Sequence, residues 1–202
     1  MEKHLTLWSI QTLEAWNQLN QKGFLLGSKK FIDQDYFEAY EWMKSRMIEK
    51  LGLPKTDSQY PLWAWYQHQD KNNRKPDLRR SGHLPKNTPG VRIEFSKNNT
   101  EVLLSDFELW HQPLFYKGYI GLNETKSIEF EDHLIDLGLK NMEFSDYPNN
   151  IKKTIINSWE NLFNLNFNDK YFTTDMDNKM IQACFWQLNK SEIAKVDHFI
   201  AK

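Results

Sequence analysis

Apolar and polar positions alternate where the chain's pattern begins. Leu5, Leu7 and Ser9 fall on one side and Thr6, Trp8 and Ile10 on the other, the period of two that marks a β-strand. The period then changes. Leu13, Trp16 and Leu19 recur every third residue and form one stripe of an amphipathic helix, which Thr12 and Glu14 can open and Gly23 can close in the left-handed conformation. Residues 24–31 read as a short extended segment. Residues 35–51 predict the strongest helix, with Phe37, Tyr40, Met43, Met47 and Ile48 on one face and Gly52 and Pro54 to end it. Residues 60–66, Tyr-Pro-Leu-Trp-Ala-Trp-Tyr, are rich in β-formers. A polar, basic loop follows over residues 67–90. Residues 91–95 alternate strictly, and Asn98-Asn99 predicts a hairpin turn into a strand over residues 101–104. A helix or turn starts at Ser105 or Asp106, and residues 116–150 carry no clear period. A helix over residues 151–163 buries Ile155, Ile156, Trp159 and Phe163, and a strand covers residues 180–188. The capping-box pattern Asn189-Lys-Ser-Glu192 predicts a last helix ending near Ile200. The sum is a mixed α+β fold in a single domain over residues 1–202.

Composition narrows the class. Lys+Arg 26 nearly balances Asp+Glu 27, so no overall field draws the chain to nucleic acid or an anionic membrane, and any such contact must be local. No apolar run approaches the ~20 residues of a membrane span, and no secretory pattern precedes the first strand. The lone Cys184 excludes an internal disulfide; with the missing leader it predicts a cytoplasmic protein. Cys184 lies in the strand segment Gln182-Ala-Cys-Phe-Trp186 and reads as buried and inert. The aromatic content, 14% with eight Trp, means either a Trp-rich core or a cleft for a planar ring.

The chemistry-bearing motifs are few. No two of the six His share one helix face at three- or four-residue spacing, so no metal site is expected. Neither a Gly-x-Ser-x-Gly elbow nor a P-loop is present. The basic loop holds Lys71, Arg74, Lys75, Arg79 and Arg80, which form either a solvated surface or a contact for phosphates. Its length and Pro76, Pro85 and Pro89 predict mobility, with Arg79 placed to pin one end to a cleft. Glu101 stands after a turn and before Val-Leu-Leu. It reads as an exposed strand-end glutamate or as a fixed carboxylate that stabilises an oxocarbenium-like sugar.

Two segments together resemble the ADP-ribosyltransferase fold, in particular the DNA-modifying toxins of the DarT type. The first strand of that family ends in a His-Ile-Thr-like motif before a helix closed by Gly. Ser9-Ile10-Gln11 stands there in this chain, with Gly23 at the matching distance. The family's catalytic glutamate opens a Glu-Val-Leu-Val strand, similar to Glu101-Val-Leu-Leu-Ser-Asp-Phe-Glu-Leu-Trp110. Its aromatic middle strand resembles residues 60–66. The family carries His or Arg in the first motif, whereas this chain carries the uncharged Ser9. The whole chain is also similar to a bacterial and phage family known as a domain of unknown function, on Leu7-Trp-Ser-Ile-Gln-Thr12, Lys75-Pro-Asp-Leu-Arg79 and Leu103-Leu-Ser-Asp-Phe107.

The transferase resemblance implies a split sheet core with peripheral helices and NAD as substrate. It implies Glu101 as the catalytic residue, Ser9 and Gln11 at the nicotinamide ribose or amide, Trp65 and Tyr66 walling the ring, and Arg79 at the phosphates. The acceptor would be a macromolecule, nucleic acid or protein, in a phage–host conflict or toxin setting. Two other readings stay open: a non-catalytic module binding a nucleotide or nucleic acid, and a protein-interaction domain that uses the Trp excess at its surface.

Overall fold

The alternating opening segment forms β1, His4–Thr12. It passes into α1, Leu13–Lys22, at Thr12, whose hydroxyl accepts from the Ala15 amide. Gly23 ends α1 at φ 80°, a left-handed turn with little cost for a residue without Cβ. The computed structural model describes residues 3–56, 59–168 and 173–202. After α1 come β2 (Phe24–Ser28), α2 (Phe37–Leu51), β3 (Gln59–Tyr60), β4 (Leu62–Gln67), β5 (Pro89–Asn98) and β6 (Leu103–Asp106). Then come α3 (Phe107–His111), α4 (Glu124–Asp136), α5 (Asn149–Ser158), β7 (Ile181–Phe185), β8 (Gln187–Asn189) and β9 (Ile193–Ile200). The architecture is mixed α+β, and the chain divides into two compact units, Met1–Leu104 with Ile181–Lys202, and Ser105–Met180.

In the first unit the sheet runs β7-β4-β1-β5-β9, with β6 at the edge beside β7. The pairs β1–β4, β1–β5, β4–β7 and β5–β9 are all antiparallel. The register sets Leu7 opposite Phe95 and Ser9 opposite Ile93, so period two becomes one apolar face. Leu5, Leu7, Ile93, Phe95, Ala64, Ala183 and Phe185 are buried there beneath Leu19 of α1. Cys184 of β7 is fully buried, and burial raises its thiol pKa. A smaller sheet runs β3-β2-β8. Pro61 divides the aromatic segment into β3 and β4, because proline has no amide hydrogen to give to a ladder.

Two expected elements differ. The hairpin predicted at Asn98-Asn99 does not form: residues Asn99–Glu101 make a 3-10 turn, and both edges of β5 are occupied by β1 and β9. The capping box at Asn189 is real, with the Asn189 amide donating to Glu192 at 2.8 Å, but it opens one 3-10 turn, not a helix. Residues 193–200 extend as β9 because β5 offers an open row of backbone donors and acceptors.

The second unit is organised around Asp106. Its Oδ1 accepts the amides of Glu108 at 2.9 Å and Leu109 at 3.2 Å, capping α3. Its Oδ2 accepts from Lys179 Nζ at 2.6 Å and from the Thr173 hydroxyl, and Lys179 also donates to the Phe167 carbonyl at 2.9 Å. Asp106 and Lys179 are both fully buried. Elsewhere in this unit Trp159 is buried and its indole donates to the Gly118 carbonyl at 2.8 Å. Among the described residues no helix is long and apolar enough to cross a membrane.

Candidate functional site

A cleft of about 430 Å³ opens in the first unit where β1 runs out into α1. Gln11 and Thr12 end β1 there, Glu14 and Gln18 come from α1, and Gly27 and Ser28 come from β2. Tyr40 of α2 and Tyr60 and Trp63 of the aromatic segment complete the wall. Gly27 belongs at this point because a Cβ on it would lie 2.2 Å from the Tyr60 carbonyl oxygen; only glycine lets β2 and β3 approach so closely. The Tyr40 and Trp63 rings meet edge to face, with centroids 5.9 Å apart.

Glu14 is the sole formal charge among the described residues lining the cleft. Burial raises the Tyr40 phenol pKa to about 12, against a hydrogen bond with Trp63 that lowers it. Burial, and then a hydrogen bond to the Glu41 carboxylate, raises Tyr60 to about 12 as well. Both phenols therefore stay neutral at ordinary pH and can donate hydrogen bonds. A second hollow of about 300 Å³ shares Gln18, Gly27, Ser28 and Phe31 with the cleft and adds Lys22 and Lys30. The two make a trough with an aromatic, amide-bearing end and a cationic end.

The structure sorts the residues singled out in the sequence. Ser9 is 1% exposed; its hydroxyl donates to the Trp63 carbonyl at 2.9 Å and accepts from Gln11 Nε2 at 2.8 Å. Ser9 thus orients Gln11, and Gln11 is the member of the pair that lines the cleft. Trp65 lies opposite Trp8 and packs its ring edge to face with His68, at 4.8 Å between centroids. The Tyr66 ring lies 4.2 Å from the Arg74 guanidinium. The aromatic segment does wall the cleft, but through Tyr60 and Trp63 instead of Trp65 and Tyr66.

Glu101 lies in a separate groove of about 220 Å³ with Leu53, Lys97 and Trp186. It comes after β5 at the end of the sheet where β1 begins, since His4 pairs with Asn98, whereas Gln11 pairs with Val91. The seven residue steps from His4 to Gln11 span about 24 Å of strand, so Glu101 and Gln11 line different hollows.

The basic loop is tied down from several directions. Arg74 donates to the Tyr66 carbonyl at 3.0 Å. Lys75 pairs with Glu94 at 3.1 Å, Arg92 donates to the Pro76 carbonyl, and His83 bonds the Asp77 carbonyl at 2.9 Å. Arg79 does not pin the loop: its side chain is 85% exposed and pairs with Asp77 two residues away. Burial, and then the charge of His83, pushes His68 down to about 4, so it is neutral near pH 7. Among the described residues no three His, Cys, Asp or Glu side chains are grouped to hold a metal ion.

Sequence reasoning passed over Tyr40, Gly27 and Ser28. Tyr40 was hidden in the apolar face of α2; the one hydroxyl within an otherwise apolar stripe was the available signal. Gly27 and Ser28 gave none, because their role depends on the approach of β3, which is distant in sequence. No curated protein and no solved structure matches the chain. A family described as "Domain of unknown function (DUF3841)" matches residues 6–194, nearly the whole length, and the chain belongs to that family.

Proposed function

We propose that this protein binds a nucleotide carrying a planar ring, with NAD as the first candidate, in the trough between the end of β1, β2 and α2. One observation carries the reading: Gln11, Ser28, Tyr40, Tyr60 and Trp63, drawn from five elements, converge on one cleft of about 430 Å³. That volume falls within the roughly 300–1,000 Å³ of small-molecule pockets, and aromatic walls with a few fixed polar groups are what such pockets use. The ring would lie against Tyr40 and Trp63. Gln11, its amide oriented by Ser9, would meet an amide or ribose hydroxyl. The phosphates would run toward Lys22 and Lys30 at the adjoining end.

The enzymatic form of this reading is ADP-ribosyl transfer from NAD to a macromolecule, nucleic acid or protein. It needs a carboxylate beside the ribose. Glu14 lines the cleft, whereas Glu101 belongs to another groove. The binding form therefore has the stronger support from geometry.

Calorimetric titration of the full chain with NAD, ADP-ribose and AMP tests it. Saturable binding is expected, weakened about tenfold or more in Tyr40→Ala, since truncating a stacking ring typically costs ~1–3 kcal/mol. Absence of binding by all three nucleotides, or an unchanged affinity in Tyr40→Ala, would overturn the assignment. Incubation with labelled NAD and mixed DNA, RNA and protein acceptors separates the two forms. Transfer lost in Glu14→Gln but kept in Glu101→Gln would make Glu14 the carboxylate of the reaction, and the reverse result would return that role to Glu101.

A further inference from the structure

The groove around Glu101 shares Gln59 with the cationic hollow of the trough and no other residue, and its chemistry is distinct. Gln59 lines it, is 1% exposed, and donates its amide N–H to the Trp186 carbonyl. The Gln59 Oε1 is buried without a hydrogen-bond partner. A buried amide oxygen left unpaired costs on the order of 1–3 kcal/mol. The Glu101 carboxylate stands in the same groove, and among the described residues no side chain or amide pairs with it.

Two further features act in the same direction. The 15-residue α2 ends at Leu51, and Leu51, Leu53 and Pro54 line the groove. The C-terminal end of a helix carries roughly half an elementary negative charge on its free carbonyls. One of those carbonyls, that of Gly52, accepts from the Trp186 indole at 3.0 Å and so fixes the ring at the groove. The cation on the floor, Lys97, is 3% exposed and already neutralised by Glu192 at 2.8 Å. Lys55 stands on the rim, exposed to solvent and screened by it.

The groove therefore offers one open carboxylate, a negative helix end, one indole and an apolar rim on which Leu53 is 78% exposed. Its volume of about 220 Å³ lies below the range of pockets that enclose whole small molecules, and suits one side chain reaching in from a larger partner. We propose that this groove is a docking subsite for an arginine side chain of a polypeptide partner. The planar guanidinium stacks on Trp186 and donates to the Glu101 carboxylate, while its methylene stem lies along Leu53 and Pro54. Guanidinium fits better than ammonium because it presents donors in a plane and stacks on an aromatic face. A nucleic acid is disfavoured, because Lys55 is the single solvent-exposed cation lining the groove and phosphate backbones need several.

The test uses the full chain labelled with 5-fluorotryptophan, the Trp186 fluorine resonance being assigned with Trp186→Phe. The probe is a Gly-Arg repeat peptide, with matched lysine and citrulline peptides and a single-stranded oligonucleotide as comparisons. The arginine peptide should shift the Trp186 resonance saturably. Its affinity should fall about tenfold or more in Glu101→Gln, and replacement by citrulline, which keeps the shape and loses the charge, should weaken binding similarly. Glu101→Gln is an exposed substitution, and an unchanged melting temperature verifies its fold. Equal affinity in wild type and Glu101→Gln, equal binding of citrulline and arginine peptides, or a Trp186 shift produced by the oligonucleotide and not the peptide would each overturn the proposal.

Discussion

Replacing Asp106 by Ala should be among the most destabilising single changes in this chain. The substitution acts twice. It removes the cap of α3, where Oδ1 accepts from the Glu108 and Leu109 amides, a loss of about 1 kcal/mol. It also removes the carboxylate that the fully buried Lys179 ammonium meets at 2.6 Å. Stranding one partner of a buried pair costs about 3–5 kcal/mol. Together these make roughly 4–6 kcal/mol, a large share of the ~5–15 kcal/mol that holds an ordinary domain. Asp106→Asn keeps an oxygen for the cap, so its loss should come from the broken ion pair alone. Adding Lys179→Met to Asp106→Asn removes both charges, and most of the loss should return, because a buried ion pair exchanged for matched uncharged groups is often nearly neutral. Urea unfolding followed by tryptophan fluorescence, with Trp110 and Trp159 buried in the same unit, gives the midpoints. A loss under about 1 kcal/mol in Asp106→Ala, or a double variant no more stable than Asp106→Asn, would refute the reasoning. The Leu103-Leu-Ser-Asp-Phe107 segment, singled out in the sequence, would then need another explanation than this ion pair.

Three other outcomes rest on particular contacts. A hydrogen bond from Arg92, at 2.6 Å, holds Asp197 down at about 2 from an ordinary 3.8; its stabilisation is complete above about pH 4 and lost as pH falls through 2, so acid unfolding over that window should become shallower in Arg92→Met. Gly27→Ala should open the β2–β3 pair, since the new Cβ would meet the Tyr60 carbonyl at 2.2 Å; slower amide exchange at Tyr60 than in wild type would contradict this. Arg74→Ala removes the guanidinium packed 4.2 Å from the Tyr66 ring and its bond to the Tyr66 carbonyl, and limited proteolysis should then cut residues 67–90 faster, whereas unchanged cleavage would show that the Lys75 and Arg92 contacts suffice.

The elements that could be read from the sequence are those specified by near neighbours. The alternation over β1, the Leu13-Trp16-Leu19 stripe with its Thr12 and Gly23 caps, and the run ending at Gly52 each depend on side-chain spacing and local backbone preference, and the fold keeps all three. The capping box at Asn189 was also read correctly as a local structure, but one turn satisfies it. The extended course of residues 193–200 was decided instead by the open edge of β5, about a hundred residues earlier in the chain. The same limit separates the two halves of the candidate site. Gln11 could be found because it ends a strand just before a helix. Tyr40, Gly27 and Ser28 could not, because a cleft is made by the approach of elements that share no local pattern. Glu101 and Ser9 looked like partners while only their local settings were visible. The antiparallel pairing of β1 with β5 puts them toward opposite ends of the sheet, and only tertiary structure carries that register.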